Sequence, residues 1–418
     1  MQVKIKPITA DGEISAIASK SDAHRAIISS AFCDKKTDIY ISHISKDIEA
    51  TLNCIKKMGA DYVKKDNIYE ITPLKNATVN PILDCGESGS TLRFLLPVLA
   101  ALGCGATFVG SGRLPERPME IIVDMLSEHG NSFSSSKLPI TVSGKTKGGT
   151  FNIAGNVSSQ YISGLLFALP LIKEKSVIRL TSKLQSSAYV NMTVDTLKKF
   201  GINIIQNKNE FIINEFCNYV SPTEYIVEGD WSNAAFFIVL GAIGGNIKIK
   251  NLNLNSHQSD KLILDVLSLA GVNFKVNENE ITVLKSEVKP FDFDVSECPD
   301  LFPALSVLAC KAKGKSTLYN AKRLRIKESD RIKTTKELIL NLGGKAEEEE
   351  DSLTIYGSGK LTGGTVDSYN DHRIAMSAFC ASAICENDII LKDAKAVDKS
   401  YPSFMEDFKK AGGVFDVI

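Results

Sequence analysis

Six times along the chain an amphipathic segment closes on a glycine: Leu52–Gly59, Ile122–Gly130, Val194–Gly201, Ile263–Gly271, Thr335–Gly343 and Met405–Gly412. Apolar residues recur there at three- and four-residue spacing, as in a helix that buries one face. Each glycine stands where a helix end takes up a left-handed residue. Segments such as Asn209–Ile213 and Asn279–Val283 follow and alternate apolar with polar, the period of a half-buried strand. The spacing of about 70 residues marks an internal repeat.

A second, more apolar segment occurs once per repeat, at Arg25–Phe32, Thr91–Leu102, Tyr161–Ile172, Asn233–Ala242, Leu301–Ala312 and Arg373–Ile384. Segments apolar nearly all round are predicted to be buried helices. The pattern therefore predicts an α/β protein of six β-α-β-α-β units, three to a domain, with apolar helices inside and amphipathic helices outside.

Length and composition narrow the class. A chain of 418 residues with 44% hydrophobic content suits two domains rather than one core. Lys plus Arg equals Asp plus Glu at 49 each, which argues against nucleic acid or an anionic membrane as partner. The start lacks a signal-like apolar core, and the apolar run around Ala234–Ile243 is far short of the roughly 20 residues that span a bilayer. A cytoplasmic location is expected. Nine scattered cysteines, without a C-x-x-C pair or histidines at ligand spacing, predict free buried thiols and no zinc site.

Chemistry concentrates before each inner helix. The lead-ins are Ser19-Lys20-Ser21-Asp22, Gly86-Glu87-Ser88-Gly89-Ser90, Val157-Ser158-Ser159-Gln160, Gly229-Asp230-Trp231-Ser232, Glu297-Cys298-Pro299-Asp300 and Asn370-Asp371-His372. Ser, Asp and Asn are helix N-caps, and N-terminal N–H groups attract anions. Only nine arginines accompany forty lysines, and all but Arg179 fall in or beside loop motifs: Arg25, Arg93, Arg113, Arg117, Arg323, Arg325, Arg331 and Arg373. Arginine grips carboxylate and phosphate bidentately, so retaining it in a lysine-rich chain points to anionic substrates. Some of these arginines are expected only to cap helices or to pair with local acids such as Glu116. Asp300, Lys327 and Glu328 are the leading acid–base candidates, with His372 ranked below them.

The residues Ser19-Lys20-Ser21 with Arg25, Glu87-Ser88-Gly89-Ser90-Thr91-Leu92-Arg93, Leu114-Pro115-Glu116-Arg117-Pro118-Met119 and Ser158-Ser159-Gln160 resemble the 5-enolpyruvylshikimate-3-phosphate synthase family. So do Lys327-Glu328-Ser329-Asp330-Arg331, Asn370-Asp371-His372-Arg373 and Lys399-Ser400-Tyr401-Pro402. Seven motifs in family order span nearly the whole chain. The resemblance implies two inside-out α/β domains joined by a two-stranded hinge: residues 19–228, binding shikimate 3-phosphate, and residues 1–18 with 229–418, closing over the cleft.

The implied reaction moves the enolpyruvyl group of phosphoenolpyruvate to the 5-hydroxyl of shikimate 3-phosphate, without metal or cofactor. Carried over by position, the shikimate 3-phosphate ligands are Lys20, Ser21, Arg25, Ser158, Ser159, Gln160, Ser186, Asp300 and Lys327. Those of phosphoenolpyruvate are Lys20, Gly89, Arg117, Gln160, Arg331, Arg373 and Lys399. The catalytic set is Asp300, Glu328, Lys20 and Lys399, with Glu328 or Lys20 protonating the methylene. Two positions depart from the family pattern: Arg323 stands for an asparagine and Glu87 for the commoner asparagine of the glycine loop. The resemblance also implies inhibition by glyphosate, with Gly89 serving either close ligand approach or a turn with positive φ. A monomer is the default expectation, although without an exposed heptad or repeated surface patch the sequence does not reveal the oligomeric state. UDP-N-acetylglucosamine enolpyruvyl transferase is the alternative, but that family carries Lys-Asn where this chain has Lys20-Ser21, and a cysteine in the loop matching Leu114–Arg117. RNA 3'-phosphate cyclase is disfavoured by the balanced charge. A non-catalytic anion-binding protein has no need of Lys327, Glu328 and Asp300.

Overall fold

The computed structural model describes all 418 residues. They form two compact units, Met1–Ile17 with Glu228–Ile418, and Ala18–Val227. Each has its own hydrophobic core. The boundaries fall one residue before those expected at both crossings of the chain.

Six four-stranded sheets carry the repeats, three in each unit. The unit spanning Ile82–Gly144 shows the plan. Strand Ile82–Asp84 leads into the buried helix Gly89–Leu102, and the returning strand Ala106–Val109 pairs parallel with the first. The outer helix Glu120–Glu128 follows, and then Asn131–Phe133 and Ile140–Gly144 form an antiparallel hairpin whose second strand joins Ala106–Val109. Each sheet thus has one strand more than the sequence pattern gave. The additional strands, such as Asp61–Lys65, Ile205–Asn207 and Phe274–Asn277, are mostly exposed edges. Strands that bury neither face lack the alternation that reveals a strand, and the lysines of Asp61–Lys65 and Phe274–Asn277 discourage edge pairing.

Three strands come from distant parts of the chain. Asp11–Ser15 pairs parallel with Asn246–Lys250, and Glu224–Ile226 pairs parallel with Thr37–Tyr40. Val3–Ile5 lies antiparallel between Ile389–Lys392 and Phe415–Val417. The first two flank the passages of the chain from one unit to the other, so each passage is anchored in a sheet.

The apolar helices are the inner ones. All fourteen residues of Trp231–Gly244 are buried, and Asp230 caps it by accepting from the Asn233 amide. Gly164, inside Ser159–Ile172, lets that helix approach Gly89–Leu102, since a Cβ there would lie 2.2 Å from the Arg93 carbonyl oxygen. The six repeat glycines, Gly59, Gly130, Gly201, Gly271, Gly343 and Gly412, all have φ between +70° and +113°. No helix is long and apolar enough to cross a membrane.

Candidate functional site

Several inner helices start earlier than the apolar pattern predicts, because the polar lead-ins cap them. Ser19 caps Lys20–Ser30, Ser88 caps Gly89–Leu102 and Ser158 caps Ser159–Ile172, each through its side-chain oxygen. Lys20, Ser21, Gly89, Ser90, Ser159 and Gln160 therefore occupy first turns, where amide N–H groups lack helical partners. Hydrogen bonds tie these turns together within the unit Ala18–Val227. Arg93 Nη1 donates to Gln160 Oε1 at 2.9 Å, and Gln160 Nε2 donates to Ser90 Oγ at 2.9 Å. Tyr161 donates its hydroxyl to the Pro118 carbonyl, fastening the segment that carries Arg117 to the same helix.

Gly89 opens its helix without a left-handed φ. A Cβ there would lie 2.4 Å from Arg117 Nη1 and 2.8 Å from Arg93 Nη1, so the missing side chain makes room for two guanidinium groups. Arg25, 3% exposed, donates to Thr193 Oγ1 at 2.8 Å, to the Ser21 carbonyl at 2.5 Å and to the Tyr189 carbonyl at 2.8 Å. Burial pushes its guanidinium down to about 10, against the opposing pull of Asp22. Tyr189 belongs to helix Ser187–Lys199, and its amide donates at 3.1 Å to the carbonyl of the preceding Ser186, whose φ is +52°. Lys20 is held by Asp47 at 2.9 Å.

Behind Lys20 runs a buried relay. His24 Nδ1 meets Thr51 Oγ1 at 2.7 Å, Thr51 meets Thr91 Oγ1 at 2.7 Å, and Thr91 donates to Ser88 Oγ at 2.7 Å. It connects the first inner helix with the cap of the glycine loop. Burial, reinforced by Lys20 and Arg25, holds His24 well below the ordinary histidine range, and so neutral.

The unit Met1–Ile17 with Glu228–Ile418 assembles the acid–base candidates. Arg331, 2% exposed on its side chain, lies against Asp300 Oδ1 at 2.8 Å, Asp371 Oδ2 at 2.8 Å and Glu328 Oε1 at 3.7 Å. Burial alone would lower its pKa, but Asp371, Asp300 and Glu328 outweigh that and raise it. Burial likewise opposes ionisation of Asp371, and Arg331 overrides it to hold the carboxyl below its usual range. Arg373 Nη2 binds Asp300 Oδ2 at 2.9 Å, and Lys327 Nζ lies 3.7 Å from Asp300 Oδ1. Glu328 Oε2 faces His372 Nδ1 at 2.8 Å. Lys399, 6% exposed, donates to the Asn370 carbonyl at 2.5 Å.

Not every loop arginine joins these clusters. Arg113 pairs with Glu116 at 3.5 Å and Arg325 with Asp330 at 3.0 Å, the local pairing expected of some of them. Arg323 donates to the Ser296 carbonyl at 2.6 Å. Sequence reasoning gave no role to Asp47, read Asp371 only as a helix cap and ranked His372 low. Asp371 and His372 lay within a recognised motif, whereas Asp47 carries no sequence signal beyond helix capping. Side-chain atoms of Glu328, Asp371 and His372 approach within 4.8 Å, a spacing that suits a metal. The Asp371 oxygens, however, already accept from Ser329, Arg331 and the Arg373 amide, which fits a salt-bridge network better.

Repeated α/β units whose helix starts gather arginine, lysine and paired acids define a class of enzyme that handles small anions. Comparison with known proteins is more specific. The family described as EPSP synthase (3-phosphoshikimate 1-carboxyvinyltransferase) matches residues 5–408. A 3-phosphoshikimate 1-carboxyvinyltransferase of Clostridium novyi is 42% identical, over 99% of this chain and 98% of that one. One from Brachyspira hyodysenteriae is 41% identical over 99% of both. The EPSP synthase structure from Acinetobacter baumannii superposes with a TM-score of 0.84 at 25% identity, covering 100% of this chain and 99% of that one. The enolpyruvyl transferase NikO of Streptomyces tendae shares the fold, with a TM-score of 0.79 at 15% identity over 99% of this chain and 98% of that one. The chain belongs to the EPSP synthase family.

Proposed function

We propose that this chain transfers the enolpyruvyl group of phosphoenolpyruvate to the 5-hydroxyl of shikimate 3-phosphate and releases inorganic phosphate. The observation that carries the reading is the group around Asp300: a carboxylate between Arg331 and Arg373, near Lys327, with the Glu328–His372 pair beside it. In the first step a proton adds to the methylene carbon of phosphoenolpyruvate while the hydroxyl oxygen bonds to C2. In the second, the bond from C2 to the phosphate oxygen breaks and a proton leaves the new methyl group, restoring the carbon–carbon double bond and giving the vinyl ether product. The site must supply an acid, a base and charge for an anionic intermediate.

In this reading Asp300 takes the hydroxyl proton. Glu328 gives a proton to the methylene, with Lys20 as the other candidate, and His372 on Glu328 supplies a route for replacing it. Arg117, Arg331, Arg373 and Lys399 neutralise the carboxylate and phosphate of phosphoenolpyruvate, aided by Lys20, Gln160 and the space at Gly89. Lys20, Ser21, Arg25, Ser158, Ser159, Gln160, Ser186 and Lys327 hold shikimate 3-phosphate. Phosphate release tests the assignment: it is expected only when both substrates are present. Release with UDP-N-acetylglucosamine replacing shikimate 3-phosphate, or with phosphoenolpyruvate alone, would overturn it.

A further inference from the structure

Gln160 has an amide whose two ends differ: an oxygen that accepts and a nitrogen that donates. Which end faces a ligand decides whether the residue attracts or repels an anion. Arg93 resolves the ambiguity. A guanidinium has donors only, so the end of Gln160 that meets Arg93 Nη1 at 2.9 Å must be Oε1. The nitrogen then faces Ser90 Oγ at 2.9 Å. One of its two N–H groups serves Ser90, leaving the other for a ligand.

Arg93 is itself fixed in place. It is 4% exposed, and its guanidinium carbon lies 5.5 Å from the centroid of the Tyr161 ring. Nη1 of Arg93 and Nη1 of Arg117 both lie within 2.8 Å of the point where a Cβ at residue 89 would stand, at the start of a helix. Two like charges meeting at the positive end of a helix dipole disfavour each other unless an anion sits near them.

We infer that Arg93 is a positioning residue for the transfer reaction: it orients the Gln160 amide with its nitrogen toward the anionic substrates, making Gln160 a donor to them. The inference rests on the proposed role of Gln160 as a ligand of both substrates. It distinguishes Arg93 from Arg117, which the same reading assigns to phosphoenolpyruvate itself.

A double-mutant cycle tests it, using steady-state kinetics with phosphoenolpyruvate and shikimate 3-phosphate on wild type, Arg93→Met, Gln160→Ala and the double variant. Arg93→Met frees the amide to turn and is expected to raise KM by about tenfold or more, the scale of one charge-assisted hydrogen bond, with a smaller change in kcat. Arg93→Lys, still a pure donor, recovers part of the loss. In the Gln160→Ala background Arg93→Met is expected to change KM less than about twofold. Equal proportional losses in both backgrounds would overturn the inference, because Arg93 would then act without Gln160. Should Arg93→Met fail to fold, Gln160→Glu serves instead: a carboxylate pairs with Arg93 but has no N–H to offer. It should keep the thermal midpoint and raise KM for both substrates, and an unchanged KM would contradict the proposal. A wild-type chain without turnover would defeat the substrate assignment itself, whereas an active wild type with an additive cycle defeats only the role of Arg93.

Discussion

Asp300 serves two purposes at once, as partner of Arg331 and Arg373 and as the proposed base for the attacking hydroxyl. Asparagine keeps its shape and one accepting oxygen but cannot take a proton. Asp300→Asn is expected to lower turnover by about two to four orders of magnitude, the range for losing a general base. The fold should persist, because Arg331 retains Asp371. Turnover near that of wild type would remove Asp300 from the role. Gly89 offers a second test at this scale. The sequence left two reasons for it, a turn with positive φ or close approach of a ligand, and its ordinary φ removes the first. A methyl group at Gly89 would meet the flexible ends of Arg117 and Arg93, so the fold loses little while the charges at the helix start are displaced. Gly89→Ala is expected to weaken glyphosate inhibition by about tenfold to hundredfold, and phosphoenolpyruvate binding by less, as the longer ligand suffers the larger clash. Equal proportional losses in inhibition constant and KM would contradict selective exclusion.

The helix His372–Ala381 shows how one residue can organise an element and a site together. Asp371 caps it by accepting from the Arg373 amide, and the same carboxylate holds Arg331, which in turn lies on Asp300. Capping alone is worth about 1 kcal/mol. Removing one member of a buried ion pair leaves the other uncompensated and costs more, about 3 to 5 kcal/mol. Because Arg331 keeps Asp300 and Glu328, Asp371→Ala is expected to destabilise the protein by more than the cap alone, up to about 3 kcal/mol in denaturant unfolding; a loss of only about 1 kcal/mol would mean that it caps the helix and little else. The motif around Asp371 was legible in the sequence, but this role was not. A carboxylate before a helix reads as a cap, and only tertiary structure brings Arg331, forty residues earlier, onto it. Asp47 was hidden in the same way, being an acidic residue in a first helical turn until Lys20 is found beside it. By contrast, the inner helices were readable from local pattern, as were caps such as Ser88, Ser158 and Asp230, though Phe302–Lys311 starts without a side-chain cap; the crowding of arginine into loops was readable too.

Across the whole molecule, the sixfold repeat was visible because each unit buries one apolar helix and ends its outer helix on a left-handed glycine. The additional edge strands were not visible, since exposed hairpins such as Asp61–Lys65 carry no apolar alternation. Nor did local pattern reveal that Val3–Ile5 completes a sheet with Ile389–Lys392 and Phe415–Val417, a pairing between opposite ends of the chain. The functional residues repeat this division: the motifs named them one by one, while the salt-bridge network around Arg331 emerged only from folding. The central claim is that these residues carry out addition followed by elimination, through an intermediate protonated on the methylene of phosphoenolpyruvate. Turnover in heavy water tests it most directly. The account predicts one phosphate released per enolpyruvyl group transferred to shikimate 3-phosphate, and deuterium in the vinyl methylene of the product, because the methylene becomes a methyl group before a proton is lost. Transfer with no deuterium in that position would contradict it.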